Sequence, residues 1–251
     1  MDAGVAPSDT MFVHSDVRSS LRVEGSTLQE KLNTIAAGLR GAVPEGTLVM
    51  PTFTYSFAKG EEFDVTASPS TVGALTEWFR GQPGVRRTSD PFFSVAVEGP
   101  LGAGWEPLFD VGDTDCFGPR SVFAYLHEAG AKLVCYGVDI QALTFAHYAE
   151  QLLAVPYRSI KEFPGIVRNG GEETPVIARY NVREFLPETE VLLHPLAEAL
   201  LRDGRAHAAT VPDGPPLFVT DTASALEVIQ RELAANPDFL LRRGHEHPRP
   251  G

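Results

Sequence analysis

The sequence predicts an α/β protein, layered α-β-α around a central mixed sheet, on three observations. Short apolar runs alternate with stretches of helical spacing, and the runs stop at proline, glycine or polar loops. Hydrophobic residues make up 43% of the 251 positions and charged residues 22%, an ordinary globular composition that can bury a core without disulfides or metals. The chain reads as one domain over 1–251. Its polar tail, 243–251, carries Pro248 and Pro250 and is expected to be mobile.

Taken in order, Met11-Phe12-Val13 predicts a buried first strand that leaves into the polar loop His14 to Ser20. Leu28, Leu32, Ile35, Ala36 and Leu39 have helical spacing over Ser26 to Arg40, with Ser26 or Thr27 as N-cap. Pro44-Glu45-Gly46 is a turn, and Thr47 to Met50 a second buried strand halted by Pro51. Ser68-Pro69-Ser70 opens a helix that runs to Phe79, with proline inside its start. Phe92 to Val97 is a strand, and Ser121 to Ala129 a helix ended by Gly130. Lys132 to Tyr136 is a strand, and Leu143 to Leu153 a helix before Pro156. From Gly165 to about Arg183 the Gly170-Gly171 turn between two apolar segments predicts a β-hairpin insertion. Helices follow over Val191 to Leu201 and Ala223 to Ala235, with a strand at Leu217 to Val219.

Composition narrows the function. A formal net charge of −12 repels phosphate backbones, which argues against nucleic acid as a partner and mildly favours cationic small molecules. Cys116 and Cys135 read as buried thiols of a reducing compartment. Met1 to Thr10 lacks the basic and apolar regions of a signal peptide, and no apolar run reaches membrane-spanning length, so a cytoplasmic protein without a membrane partner is expected. Neither a dinucleotide nor a P-loop glycine pattern follows a strand, and there is no Gly-x-Ser-x-Gly elbow.

The residues best placed for chemistry are His147 and Glu150. Three apart on a helix, they share a face, and a carboxylate can orient an imidazole as a general base near neutral pH. A surface His–Glu pair is the plainer explanation of that spacing alone. No second cluster has metal-ligand spacing, so no metal is expected. The loop with His14, Ser15, Arg18 and Ser19 follows a buried strand, where ligand crevices form, and its hydroxyls and guanidinium suit a phosphate or amide. Thr52, Thr54 and Tyr55 lie past the second strand. Ser68, Ser70 and Gly73 lie at a helix start, which attracts anions but is equally explained by capping. Asp90, before Pro91, suits a turn or a contact to a cation or to His147.

As an ordered set, these segments resemble the aminoglycoside 3-N-acetyltransferase family. The matching stretches are the His14-Ser15 loop, Pro44 to Tyr55, Phe63-Asp64, Ser68-Pro69-Ser70 with Gly73 to Glu77 and Phe79-Arg80, and Arg87 with Asp90-Pro91. They continue with Ser94 to Ala96, Phe117-Gly118-Pro119 with Ser121, Gly137-Val138, His147 with Ala149-Glu150, and Val155-Pro156-Tyr157-Arg158. The resemblance implies a fold of this family's own type, acetyl-CoA as acyl donor, no metal, and a small-molecule amine, such as that of an amino sugar, as acceptor. It places the catalytic base on His147, with Glu150 orienting it or holding the acceptor. CoA and the thioester oxygen would be held by His14, Ser15, Arg18, Ser19, Thr52, Thr54, Ser68, Ser70 and Gly73. The acceptor would meet Asp90, Tyr55 and Tyr157. A homodimer is one option for its assembly.

Asp90 stands where many drug-modifying members have histidine, and the chain is compact. On those departures a biosynthetic amino-sugar N-acetyltransferase is the first expectation and an aminoglycoside antibiotic 3-N-acetyltransferase the alternative. A different acyl group, a silent binding homologue and a metal-dependent hydrolase are the further rivals.

Overall fold

The computed structural model describes residues 4–16, 23–102, 104–210 and 215–245. In chain order the elements are β1 (Thr10–Ser15), α1 (Leu28–Ala42), β2 (Thr47–Pro51), β3 (Phe63–Asp64), α2 (Ala74–Arg80), β4 (Arg86–Arg87), β5 (Val95–Glu98) and β6 (Thr114–Asp115). Next come α3 (Val122–Glu128), β7 (Lys132–Tyr136), α4 (Phe145–Leu152), β8 (Arg158–Asn169), β9 (Glu172–Arg183), α5 (His194–Arg202), β10 (Ala206–Thr210), β11 (Pro216–Asp221) and α6 (Thr222–Ala235). Among the described residues the strands form a seven-stranded sheet, β10-β11-β7-β1-β2-β5-β4, and a four-stranded one, β3-β8-β9-β6. In the large sheet β1 pairs in parallel with both β2 and β7, and the outer strands are antiparallel.

Strand alternation explains the layering. Met11 and Val13 of β1, Leu48 and Met50 of β2 and Val134 of β7 face one apolar cluster with α1 and α2. Phe12, Val49, Leu133 and Cys135 point the other way, into a second cluster with α3 to α6. Both faces are therefore covered, as the continuous apolar runs imply. Phe12, Phe123 and Phe145 have no exposed surface, and burying each such ring contributes about 1.5–3 kcal/mol. The second cluster also takes in Phe63, Val167 and Val176, so the small sheet shares this core. Both cysteines are buried free thiols.

Four expectations need correction. The hairpin is no add-on over 165–183. It spans Arg158 to Arg183 with twelve paired positions and forms the middle of the second sheet. Its exposed first half, Ser159 to Glu162, lacks the alternating apolar signal. Secondly, α2 starts at Ala74 rather than Ser68. Ser68 Oγ accepts from the Asp64 N–H, Asp64 Oδ1 accepts from the N–H groups of Thr66 and Ala67, and these local bonds displace a helical turn. Thirdly, β5 starts at Val95, because Asp90 Oδ1 accepts from the N–H groups of Phe92 and Phe93 and holds them in a turn. Lastly, the front of the tail is pinned. Residues 242–245 form a short 3₁₀ turn in which Arg243 donates to Asp238 at 2.7 Å and His245 Nε2 meets the Phe239 carbonyl at 2.6 Å. Residues 246–251 lie outside the described ones.

Candidate active site

The C-terminal ends of the parallel trio β7-β1-β2 frame a cleft of about 290 Å³. In α/β sheets this is where ligands collect, because the strand ends leave a crevice between diverging loops. His14 and Ser15 end β1, Pro51 ends β2 and leads through Phe53 to Tyr55, and Val138 follows β7. Thr144 and His147, from the start of α4, close the far wall.

Helix α4 buries Phe145, Ala146 and Ala149 in the core, which turns His147 toward the cleft and Glu150 inward. The His147 side chain is 26% exposed and that of Glu150 0%. His147 Nδ1 lies 2.7 Å from Glu150 Oε2. Burial pushes the Glu150 carboxyl up, but the His147 hydrogen bond and charge, the Arg158 charge and the Tyr157 hydroxyl outweigh it and bring it below the ordinary carboxylate range. An ionised carboxylate only accepts, so a hydrogen bond to Glu150 requires the tautomer with the proton on His147 Nδ1, which leaves the lone pair on Nε2 at the far side of the ring. Glu150 is completely buried and meets the imidazole from behind.

Arg158, the first residue of β8, completes the cluster. Its side chain is 2% exposed and its Nε sits 2.7 Å from Glu150 Oε2. Its Nη2 lies 2.8 Å from His147 Nδ1, and Nη1 donates to the Asn181 carbonyl on β9 at 3.0 Å. Ala154, at φ 50°, turns the chain after α4 so that it can return beneath the helix. Tyr157 faces Glu150, and burial followed by that negative charge raises its hydroxyl pKa.

On the opposite wall, burial drives His14 down to about 3, so this ring is neutral. Its Nε2 and the Ser15 Oγ are buried with no hydrogen-bond partner. Two orphaned polar atoms on one cleft wall are costly unless something enters to meet them. Tyr55 lines the same cleft with a left-handed backbone at φ 55°, held by ring contacts to Phe53 and Phe93 at 6.3 and 5.5 Å. Burial and the nearby Tyr180 raise its hydroxyl pKa. Such strain in a bulky residue costs about 1–3 kcal/mol and persists where packing enforces it.

The other sequence candidates sit elsewhere. Thr52 has no exposed surface. Its hydroxyl bonds the Ser94 carbonyl at 3.0 Å and accepts from the buried Arg87. Thr54 donates to the Pro91 carbonyl at 2.7 Å. Ser68 caps its own loop, and the Ser70 hydroxyl meets that of Thr76 at 3.0 Å. Gly73, at φ 142°, lets this loop turn behind the end of β1, where a Cβ would stand 3.6 Å from the Ser15 carbonyl. Asp90 does not join His147. It sits in its own turn on the wall of a second, acidic pocket of about 420 Å³ with Asp110, Asp113 and Asp115. Arg18 and Ser19 lie outside the described residues. Arg158 is the partner that the sequence reading passed over. The usable signal was Glu150 itself, a carboxylate amid Phe145, Ala146 and Ala149 that needs a counter-charge.

Among the described residues no group of three or more His, Cys, Asp and Glu could hold a metal ion, and no helix is long and apolar enough to cross a membrane.

Comparisons with known proteins place the chain in a family and a fold. Aminoglycoside N(3)-acetyltransferase IV of Salmonella sp is 33% identical over 160 residues, 62% of this chain and 58% of that protein. The match thus spans less than two thirds of that relative's length. Aminoglycoside N(3)-acetyltransferase III of Enterobacter cloacae is 28% identical over 205 residues, 73% of this chain and 69% of that one. Among solved structures, aminoglycoside acetyltransferase AAC(3)-Xa superposes with TM-score 0.77 at 22% identity, covering 96% of this chain and 90% of that one. AAC-IIIb, solved as a binary complex with CoASH, gives 0.73 at 22% identity, covering 93% and 92%. A mutant of AAC(3)-IVa in complex with apramycin gives 0.73 at 24% identity, covering 95% and 90%. These likenesses establish the fold. The model of the family described as aminoglycoside 3-N-acetyltransferase matches residues 12–231, and the chain belongs to that family.

Proposed function

We propose that this protein is an N-acetyltransferase that moves the acetyl group of acetyl-CoA to an amine of an aminoglycoside by direct attack. The observation that carries the reading is the buried Glu150 behind His147, with the imidazole opening on a cleft whose facing wall holds unpartnered polar atoms. An ammonium group must lose a proton before it can attack a carbonyl, and a positioned imidazole contributes about 10²–10⁴-fold to such a step. Bound in the cleft, acetyl-CoA supplies the activated acyl carbonyl. His147 Nε2 takes the proton of the attacking amine while Glu150 receives the Nδ1 hydrogen bond and stabilises the imidazolium. Ser15 Oγ and His14 Nε2 offer hydrogen-bonding atoms to a polar group of the donor, and their lack of protein partners fits that use. Neither cysteine lines the cleft, and burial raises the thiol of Cys135 to about 12, which suits attack without an acyl-enzyme.

The acceptor assignment follows the relatives. Those compared are named as aminoglycoside N(3)-acetyltransferases, and a structural neighbour was solved with apramycin. That supports the aminoglycoside alternative over the biosynthetic amino sugar that the sequence departures put first. The charge of −12 suits a polycationic acceptor. Thiol release from acetyl-CoA, measured with aminoglycosides, nucleotide-linked amino sugars and simple hexosamines, tests the reading. Release with aminoglycosides is expected. Release only with nucleotide-linked amino sugars would return the acceptor to biosynthesis, and absence of CoA binding by calorimetry would overturn the transferase.

A further inference from the structure

Three groups compete for one small space behind the cleft. Glu150 Oε2 and Arg158 Nη2 both lie within hydrogen-bond distance of His147 Nδ1, at 2.7 and 2.8 Å. A single ring nitrogen cannot donate to the carboxylate and accept from the guanidinium at once. Arginine does not give up its proton in proteins, so its charge at this distance is permanent. We propose that Arg158 is a positioning residue for His147: its guanidinium fixes the Glu150 carboxylate and counters its charge, so that the imidazole can release a proton as readily as it takes one.

A lone buried carboxylate against an imidazole favours the imidazolium and would hold the proton in place. A base must hand its proton on in every cycle, and it works best when its affinity for the proton matches the working pH. The guanidinium opposes the carboxylate at the same ring edge. Its Nη1 donates to the Asn181 carbonyl and Tyr180 of β9 is hydrogen-bonded to it, while its Nε lies 2.7 Å from Glu150 as an ion pair without a hydrogen bond. The second sheet therefore reaches the back of the dyad through Arg158. The groups facing the ring from each side are Glu150 on α4, Arg158 on β8, neutral His14 on β1 and Tyr55 after β2, with Tyr157 acting through Glu150 and Tyr180 through Arg158. Phe117 adds an uncharged ring edge at 6.0 Å. Arg158 is the permanent cation in this set.

The inference rests on the reading of His147 as the base, but it can be tested without any substrate. Nitrogen-15 and proton NMR follow the His147 ring through a pH titration, with assignment by comparison with His147→Asn. Arg158→Gln removes the charge and keeps an amide donor. Its titration midpoint should rise by about one unit or more, the size expected for loss of a close charge. Glu150→Gln should move it down. Arg158→Lys keeps the charge and should leave it within a few tenths. An unmoved midpoint in Arg158→Gln, or an equal rise in Arg158→Lys, overturns the proposal. Should the Gln variant not fold, the wild-type ring decides. Above its midpoint it should carry the proton on Nδ1, and a proton on Nε2 would mean that Arg158 bonds the ring directly and does not act through Glu150. Failure of thiol release with this NMR pattern intact would refute the transferase and not the role of Arg158.

Discussion

His147 Nδ1 lies 2.7 Å from Glu150 Oε2, and the carboxylate has no exposed surface. One group faces the cleft, and the other is buried behind it. His147→Ala should therefore lower kcat by about 10²–10⁴-fold while CoA affinity stays within about two-fold. Steady-state kinetics with calorimetric titration of CoA checks both halves. A weakened CoA complex with normal kcat would move His147 out of the base role.

The Glu150 carboxyl lies below its unfolded value of about 4.5. A group with a depressed pKa contributes stability that is present above the unfolded value and lost as the pH falls through the folded one. Urea unfolding from pH 7 to pH 3 should show a Glu150-dependent loss of stability below about pH 4.5. Glu150→Gln should be less stable at pH 7, by roughly 3–5 kcal/mol, since removing one partner leaves buried Arg158 uncompensated, and its fall in stability below about pH 4.5 should be smaller than that of the wild type.

His14 should separate binding from stability. Its ring is kept neutral down to about pH 3, and its Nε2 has no partner. Because an unfolded histidine protonates near 6.5, this titration costs nothing above that pH and penalises the folded state progressively between 6.5 and 3. His14→Phe removes both the orphaned nitrogen and the titration. The variant should match or exceed wild-type Tm at pH 7, flatten the fall in stability between pH 6.5 and 4, and weaken CoA binding. Melting scans beside calorimetry check the opposed signs, and unchanged CoA affinity would remove His14 from the donor wall.

Gly73 stands at φ 142° against the end of β1. An L side chain rarely adopts this conformation, so Gly73→Ala should cost about 1–3 kcal/mol even though its methyl meets only ordinary contacts. Because the loop backs the Ser15 carbonyl, KM for acetyl-CoA should rise more than kcat falls. Chemical denaturation and initial-rate kinetics measure the two effects.

The alternation of apolar runs and helical spacing was enough for the three layers, because strands covered on both faces are apolar throughout while their helices keep a 3.6-residue period. Leu32, Ile35, Ala36 and Leu39 marked α1 and narrowed its N-cap to Ser26 or Thr27, between which the structure takes Thr27, in a capping box with Glu30. His147 and Glu150 were legible for the same reason, since three residues on a helix make one face. Strands of two residues, such as β3, β4 and β6, left no periodic trace, and the Ala-rich β10 carries little β-propensity.

Local sequence determined which residues could form a dyad and which strand ends could hold a ligand. Tertiary structure alone decided what each polar group faces. Thr52 and Thr54 bond the Ser94 and Pro91 carbonyls, partners reached only when the loops after β2 and before β5 meet. Arg158 meets Glu150 because Ala154 turns the chain and a twelve-residue hairpin locks it under α4. Helical periodicity repeats over a few residues and can be read along the chain, whereas a buried charge is satisfied by whatever the fold brings beside it.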